Sequence, residues 1–161
     1  HVVYAVRDAR DLDPADGSVD AVVLATPLER TRHAAYFAAY QKIELRPAEA
    51  LRKGGLGADQ IAFIVFAHGD DESDMEFPGK FSPATLTIDG RTLAPAAIDR
   101  GGPSPSTYPL STRGRSRFVA TITYRFDLAG IAGAAQARAR LAFTDATGKS
   151  FDLPVDLAAY R

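Results

Sequence analysis

The C-terminal third of the chain alternates apolar and polar residues with a period of two. Along 117–127, even positions are apolar and odd positions are mostly arginine or threonine, and the alternation recurs at 137–144 and 151–157. Such a period is typical of β-strands with one buried and one exposed face. We therefore predict a meander of three strands. Its buried residues should be Phe118, Ile122, Tyr124, Phe126, Leu141, Phe143, Phe151, Leu153 and Val155.

Further strands are predicted in the rest of the chain. Short apolar runs at 2–6 and 19–25 indicate the first two, and 61–67 is apolar on both faces, as expected of a central strand covered from both sides. Asp89-Gly90 predicts a hairpin with a type I′ turn, because this pair tolerates the positive φ angles of that turn. Asp145–Lys149 predicts a second hairpin.

The region between the second and third strands interrupts the β pattern. Thr31 is predicted to cap an alanine-rich helix that ends at Tyr40. Its aromatic residues should cover a face of the sheet, the alternative being a surface that binds a partner. A short strand is predicted at Lys42–Leu45, and Pro47 opens a short helix that stops at Gly54.

These patterns together define the expected fold. The sequence predicts a mainly β protein, an antiparallel immunoglobulin-like β-sandwich with a short helical insertion around residues 31–53. A chain of 161 residues is expected to form a single β-sandwich domain over residues 1–161.

Composition and charge limit the possible functions. The net charge of −1 gives no global field toward nucleic acid, so no nucleic-acid partner is predicted. No apolar run approaches the ~20 residues that span a bilayer, and the absence of cysteine excludes disulfides and thiolate chemistry. The first residue, His1, is compatible with a mature N-terminus left by a signal peptidase, and the predicted localisation is periplasmic or extracellular.

The histidines are the first candidate metal ligands. A free N-terminal His1 offers its α-amine and a ring nitrogen to one ion, and His68 or His33 could supply a second imidazole. Such a nitrogen set suits copper(II). It resembles the site of periplasmic copper carriers and lytic polysaccharide monooxygenases, which are β-sandwiches with a processed N-terminal histidine. The resemblance implies a copper carrier or an oxidase-like protein.

An acidic segment follows the predicted central strand. Asp70, Asp71 and Asp74 lie among five carboxylates in residues 70–76. Calcium prefers several such oxygens, so this segment is a candidate calcium site, the alternative being a solvated loop.

The same segment contains a second resemblance. Residues 67–72 read Ala-His-Gly-Asp-Asp-Glu. They resemble the zinc motif of the N-acetylglucosaminyl deacetylases, in which a histidine and an aspartate bind zinc and a neighbouring aspartate acts as base. That family also requires a later histidine, and none follows His68. A hydrolase is therefore the least favoured interpretation.

Arginines form a candidate partner-binding site. Arg113, Arg115 and Arg117 alternate into the first strand of the C-terminal third. They indicate either a solvated face with scattered ion pairs or a site for an acidic partner or a polyanion. No catalytic motif accompanies them, and no obligatory cofactor is predicted beyond the possible copper or calcium. The sequence favours a non-enzymatic, secreted or periplasmic binding or accessory module of a larger assembly with a protein partner. The alternative is the copper-binding protein that uses His1.

Overall fold

The computed structural model describes residues 5–7, 17–106, 117–134 and 137–160. This part of the chain is mainly β, with 42% strand and 22% helix, and forms two antiparallel sheets. The strands are β1 (Ala5–Arg7), β2 (Val19–Ala25), β3 (Gln60–His68), β4 (Thr85–Ile88), β5 (Arg91–Leu93), β6 (Ala97–Arg100), β7 (Ser104–Ser106), β8 (Arg117–Asp127), β9 (Arg138–Thr144) and β10 (Ser150–Asp156). The helices are α1 (Pro27–Tyr40), α2 (Pro47–Gly54), α3 (Phe77–Lys80) and a 3-10 turn at Leu157–Tyr160.

The larger sheet has the strand order β1-β2-β3-β8-β6, and β7 also pairs with β8. The predicted central strand is confirmed, because β3 bonds to β2 on one side and to β8 on the other. Its outer face is only partly covered. Ala62 is buried, Ile64 is half-buried and Phe66 is 43% exposed.

The smaller sheet has the order β10-β9-β4-β5. The predicted meander of the last three strands is therefore wrong, because β8 belongs to the larger sheet while β9 and β10 pair in the smaller one. Alternation shows that a strand has one buried face and does not show which sheet it joins. Among the described strands β10 bonds only to β9, and it carries Pro154 and two aspartates.

The core lies between the inner faces of the two sheets. Tyr124 of the larger sheet approaches Phe143 of the smaller one with ring centroids 5.9 Å apart, and Phe143 stacks on Phe151 at 5.1 Å. This packing is consistent with a β-sandwich. Of the nine predicted core residues, only Phe118 and Leu153 are half-buried. The remaining seven are buried: Ile122, Tyr124, Phe126, Leu141, Phe143, Phe151 and Val155.

Both hairpin predictions are confirmed. Asp89 and Gly90 have φ angles of 48° and 78°, the two positive values that a type I′ turn requires. In the second hairpin the Asp145 side chain is buried and accepts hydrogen bonds from Thr147 N (2.9 Å), Thr147 Oγ1 (2.7 Å) and Lys149 N (2.9 Å).

Asp145 also connects the two sheets. Its second carboxylate oxygen accepts a hydrogen bond from the backbone of Ser18 (2.8 Å), directly before β2. Burial would raise the pKa of Asp145, but the hydrogen bonds from Ser18, Thr147 and Lys149 outweigh it and lower the pKa below its usual value. Gly17 permits this contact, because its φ is 77° and a side chain there would collide with the carboxylate.

The first helix begins earlier than predicted. Thr26 is the N-cap, and its Oγ1 accepts a hydrogen bond from Glu29 N (3.3 Å). Thr31 lies inside the helix and donates to the carbonyl of Pro27 (2.7 Å), so the prediction that it caps the helix is wrong. Proline at the first helical position costs no hydrogen bond, which allows the extra turn.

The predicted strand at Lys42–Leu45 is wrong as well. Lys42 N–H bonds to Ala39 O (3.0 Å) and Ile43 N–H bonds to Ala38 O (2.8 Å), which is a Schellman helix end. Lys42 occupies the left-handed position, with φ of 57°, where glycine is usual. The second helix is confirmed, but it runs over Pro47–Gly54. Gly55, with φ of 72°, ends it in place of the predicted Gly54.

Candidate functional site

The most exposed apolar surface of the described chain lies on α1. His33, Tyr36, Phe37 and Tyr40 are spaced i, i+3, i+4 and i+7, which places them on one side of a helix. We call these four residues the aromatic stripe. Tyr36 is 51%, Phe37 47% and Tyr40 77% exposed. The prediction that these aromatic residues cover a sheet face is therefore wrong, because they face outward. The alternative, a surface that binds a partner, stays a prediction.

Small residues explain why the stripe points outward. Ala38 is the one buried residue of α1, while α2 buries Ala50 and Gly54. At Gly54 a Cβ atom would lie 3.3 Å from the backbone nitrogen of Thr31, and Arg30 Nε donates to the Gly54 carbonyl (3.1 Å). The two helices can approach closely only through such small side chains, so the bulky rings remain on the other side.

The helix pair covers one end of the outer face of the larger sheet. A cleft of about 170 Å³ separates the helices from the sheet, and its lining includes Arg30, Ala62, Thr123 and Arg125. Arg125 is not available to a ligand there, because its guanidinium pairs with Asp99. The helices beyond this cleft shield Ala62, whereas toward the far end of β3 the outward-facing Phe66 is 43% exposed.

At that far end, His68 pairs with Asp20. His68 Nδ1 lies 2.9 Å from Asp20 Oδ1, and the two side chains are 12% and 9% exposed. A β-bulge between Val19 and Ala21 inserts Asp20 into β2 and turns its carboxylate toward the histidine. The pair could orient an imidazole for chemistry at Nε2, and it also ties β2 to β3.

Asp20 was missed by the sequence reasoning. It is the one charged residue inside the apolar run Val19–Ala25, and that anomaly is the signal that could have indicated it. A buried carboxylate requires a partner, so an acid within a strand predicts a nearby donor.

The acidic segment is organised by its own hydrogen bonds. Asp71 accepts from the backbone (2.6 Å) and the hydroxyl (2.7 Å) of Ser73, and these bonds lower the pKa of Asp71 below its usual value. Asp74 pairs with Lys80 (2.9 Å), and the backbone carbonyl of Asp70 accepts a hydrogen bond from Arg117. Within the described ranges, no three histidine or carboxylate side chains converge to hold a metal ion. Calcium binding by Asp70, Asp71 and Asp74 stays a prediction.

The other predicted site residues are distributed as follows. His33 lies on the aromatic stripe, with its ring centroid 4.6 Å from that of Phe37. Arg117 begins β8 and also donates to the carbonyl of Gly69 (2.9 Å). His1, Arg113 and Arg115 lie outside the described residues, so the copper site at His1 and the arginine site stay predictions.

Comparison with known proteins gives no assignment. No family model, curated protein or solved structure matches the chain. Over the part of the chain that the structure describes, no helix combines the length and apolar character needed to cross a bilayer.

Proposed function

We propose that this protein is a non-enzymatic binding or accessory module that docks a protein partner on the aromatic stripe. One observation carries the proposal. Helix α1 buries an alanine and exposes Tyr36, Phe37 and Tyr40. Large apolar patches on a soluble surface typically mark interaction sites, and tyrosine is enriched among the residues that dominate binding energy.

The surrounding structure supports a rigid docking surface. Thr26 caps the first end of α1, and the Schellman bonds of Lys42 and Ile43 close the other. The ring centroids of Tyr36 and Phe37 are 5.8 Å apart in an edge-to-face arrangement. Because these rings lie on a capped helix, binding should cost little backbone conformational entropy at this surface.

The test is selection of random displayed peptides on the full chain. Selected peptides should bind the wild type and should lose binding to the triple variant Tyr36→Ser, Phe37→Ser, Tyr40→Ser. The matched control is Leu28→Ser, because Leu28 lies on the same helix outside the stripe and is 48% exposed. This control should bind as the wild type does.

Two outcomes would contradict the proposal. Either no peptide is enriched above background, or enriched peptides bind the triple variant as well as the wild type. Thermal melting of each variant provides the folding control, since replacement of exposed side chains should not lower the midpoint.

Several finer predictions belong to this proposal. They are the immunoglobulin-like character of the sandwich, its single-domain extent, and a periplasmic or extracellular location within a larger assembly. Copper binding through His1 remains the alternative function. It would be tested by copper titration of a chain with an authentic N-terminus against His1→Ala.

A further inference from the structure

We infer that the cleft between the helix pair and the larger sheet binds a small organic carboxylate, whose apolar part lies on the sheet and whose carboxylate pairs with Arg30. This inference goes beyond the proposed function, because no residue of the aromatic stripe lines the cleft. It is carried by an apolar floor, by an arginine with free donors and by the charge of the lining.

The floor of the cleft is made of small side chains on two neighbouring strands. Ala25 ends β2, Ala62 lies in β3, and the two residues are partners in register. Both are buried, and Ile64, two residues further along the same face of β3, is half-buried. An alanine side chain ends at Cβ, so this part of the sheet leaves room beneath the helices.

The size of the cleft limits its ligand to a fragment. Its volume is about 170 Å³, and a protein cavity of about 150 Å³ holds a benzene ring. A ring or a branched alkyl group therefore fits above the alanines, whereas ligands of drug size bind in pockets of about 300–1,000 Å³. The ligand is expected to have one ring-sized apolar group and one polar group.

Arg30 provides the positive charge of the site. It is half-buried in α1, and its Nε donates to the carbonyl of Gly54 (3.1 Å), which anchors the guanidinium at the end of α2. Its four other N–H groups have no hydrogen-bond partner and no ion pair in the part of the chain that the structure describes. A carboxylate would accept two of them, from Nη1 and Nη2, in the bidentate geometry that arginine favours.

Thr123 and an ion pair complete the polar lining. Thr123 lies in β8, in register with Ile64, and its hydroxyl forms no hydrogen bond with another described residue. Asp99 is the one carboxylate among the described lining residues, and it already pairs with Arg125. With two arginines and one aspartate, the lining has a net charge of +1, in a chain whose net charge is −1.

These features favour a monocarboxylate over other ligands. One arginine without a counter-ion balances one negative charge, whereas a phosphate monoester has a charge of about −1.5 to −2 at neutral pH. A cationic ligand would meet Arg30 directly, and an uncharged one would leave its guanidinium without a counter-ion at a half-buried position, which is unfavourable. The expected ligand is a carboxylate on a ring-sized apolar group.

The experiment titrates the full chain with benzoate and follows backbone amide chemical shifts. Benzamide has the same ring without the charge, and acetate has the charge without the ring. Acetate also controls for ionic strength. For a ligand of the size of benzoate, the dissociation constant should be about 1–10 mM.

Two variants alter the site in different ways. Arg30→Gln removes the charge and keeps a donor for Gly54, and Ala62→Leu fills the floor of the cleft. Their matched controls are Arg91→Gln, at an exposed arginine on β5, and Ala142→Leu, at a half-buried alanine on the outward face of β9. Thermal melting identifies any variant that does not fold.

Benzoate should shift the amides of Ala25, Arg30 and Ala62 in a saturable way and should bind both control variants as it binds the wild type. Benzamide and acetate should bind about tenfold more weakly than benzoate. Each site variant should lower the affinity for benzoate about tenfold, because either the charged hydrogen-bond donor or the space for the ring is lost.

Three results would overturn the inference. They are the absence of saturable shifts in these amides up to about 50 mM benzoate, equal binding of benzoate and benzamide, and equal binding of benzoate by the wild type and either folded site variant. If Arg30→Gln does not fold, the comparison of benzoate with benzamide tests the charge on the wild type. Peptide binding to the aromatic stripe does not depend on any of these results, so the proposed function is tested separately.

Discussion

Replacement of Asp145 by asparagine should destabilise the protein, because one of the two carboxylate oxygens that accept hydrogen bonds is lost. Three of the four hydrogen bonds, those from Thr147 and Lys149, end on Oδ1, which asparagine retains. The fourth comes from Ser18 N–H to Oδ2. In Asp145→Asn an NH2 group replaces Oδ2, so two donors would face each other at a buried position.

The size of the effect follows from that geometry. Loss of a hydrogen bond to a charged acceptor, with a buried donor left unsatisfied, costs about 2–3 kcal/mol. For a chain of this length the melting midpoint should fall by about 4–12 °C. The control is Asp152→Asn, an exposed carboxylate on β10 that pairs with Arg140 (2.6 Å) and should leave the midpoint unchanged.

The pH dependence gives an independent check by calorimetry. The pKa of Asp145 is lowered in the folded protein, so its contribution is fully present above its unfolded pKa of about 3.9 and is lost as the pH falls through the folded value. The wild-type and Asp145→Asn curves should therefore begin to converge as the pH falls below about 4. A variant that melts with the wild type at neutral pH, or a gap that does not narrow below about pH 4, would refute the reasoning.

Three further predictions test the fold. Leu141→Ala, at a fully buried position, should lower the free energy of unfolding by about 2–5 kcal/mol in urea titration. A smaller change would show that Leu141 is not packed in the core as described. Gly17→Ala should prevent the Ser18–Asp145 contact, because the methyl group would collide with the carboxylate at a positive φ. Its effect on the melting midpoint should therefore not add to that of Asp145→Asn in the double variant. Full additivity of the two effects would contradict this. Lys42→Gly should raise the free energy of unfolding by about 0.5–1 kcal/mol, because glycine adopts the left-handed conformation of this position without strain. Lys53→Gly, inside α2, should lower the free energy of unfolding in the same denaturation assay. A lower free energy of unfolding in both variants would argue against the Schellman end.

The strands could be predicted because each depends on a local rule. Alternation at 117–127 requires only that one face be buried, and Asp89-Gly90 requires only a turn with positive φ. The assignment of β8 to a different sheet from β9 could not be predicted, since alternation is identical in both sheets.

The orientation of α1 shows a second limit. Its sequence offers two sides that could be buried, one with Ala34 and Ala38 and one with Phe37 and Tyr40, and hydrophobicity favours the aromatic side. The structure buries Ala38 and half-buries Ala34 because α2 approaches through Gly54, a requirement that depends on tertiary packing. The pairing of Asp20 with His68 was equally hidden, since it joins residues 48 positions apart.

The composition of β10 affects how copies of this protein can associate. An edge strand exposes backbone groups that can pair with another chain, and proline in a strand is tolerated where its missing N–H faces outward. Pro154 removes a donor at that edge. Of the two aspartates that flank it, Asp152 pairs with Arg140, and Asp156 adds a negative charge. A second copy approaching edge to edge would face the same charges and the same gap in its hydrogen bonds. Strand exchange and fibril growth along this edge should therefore be disfavoured.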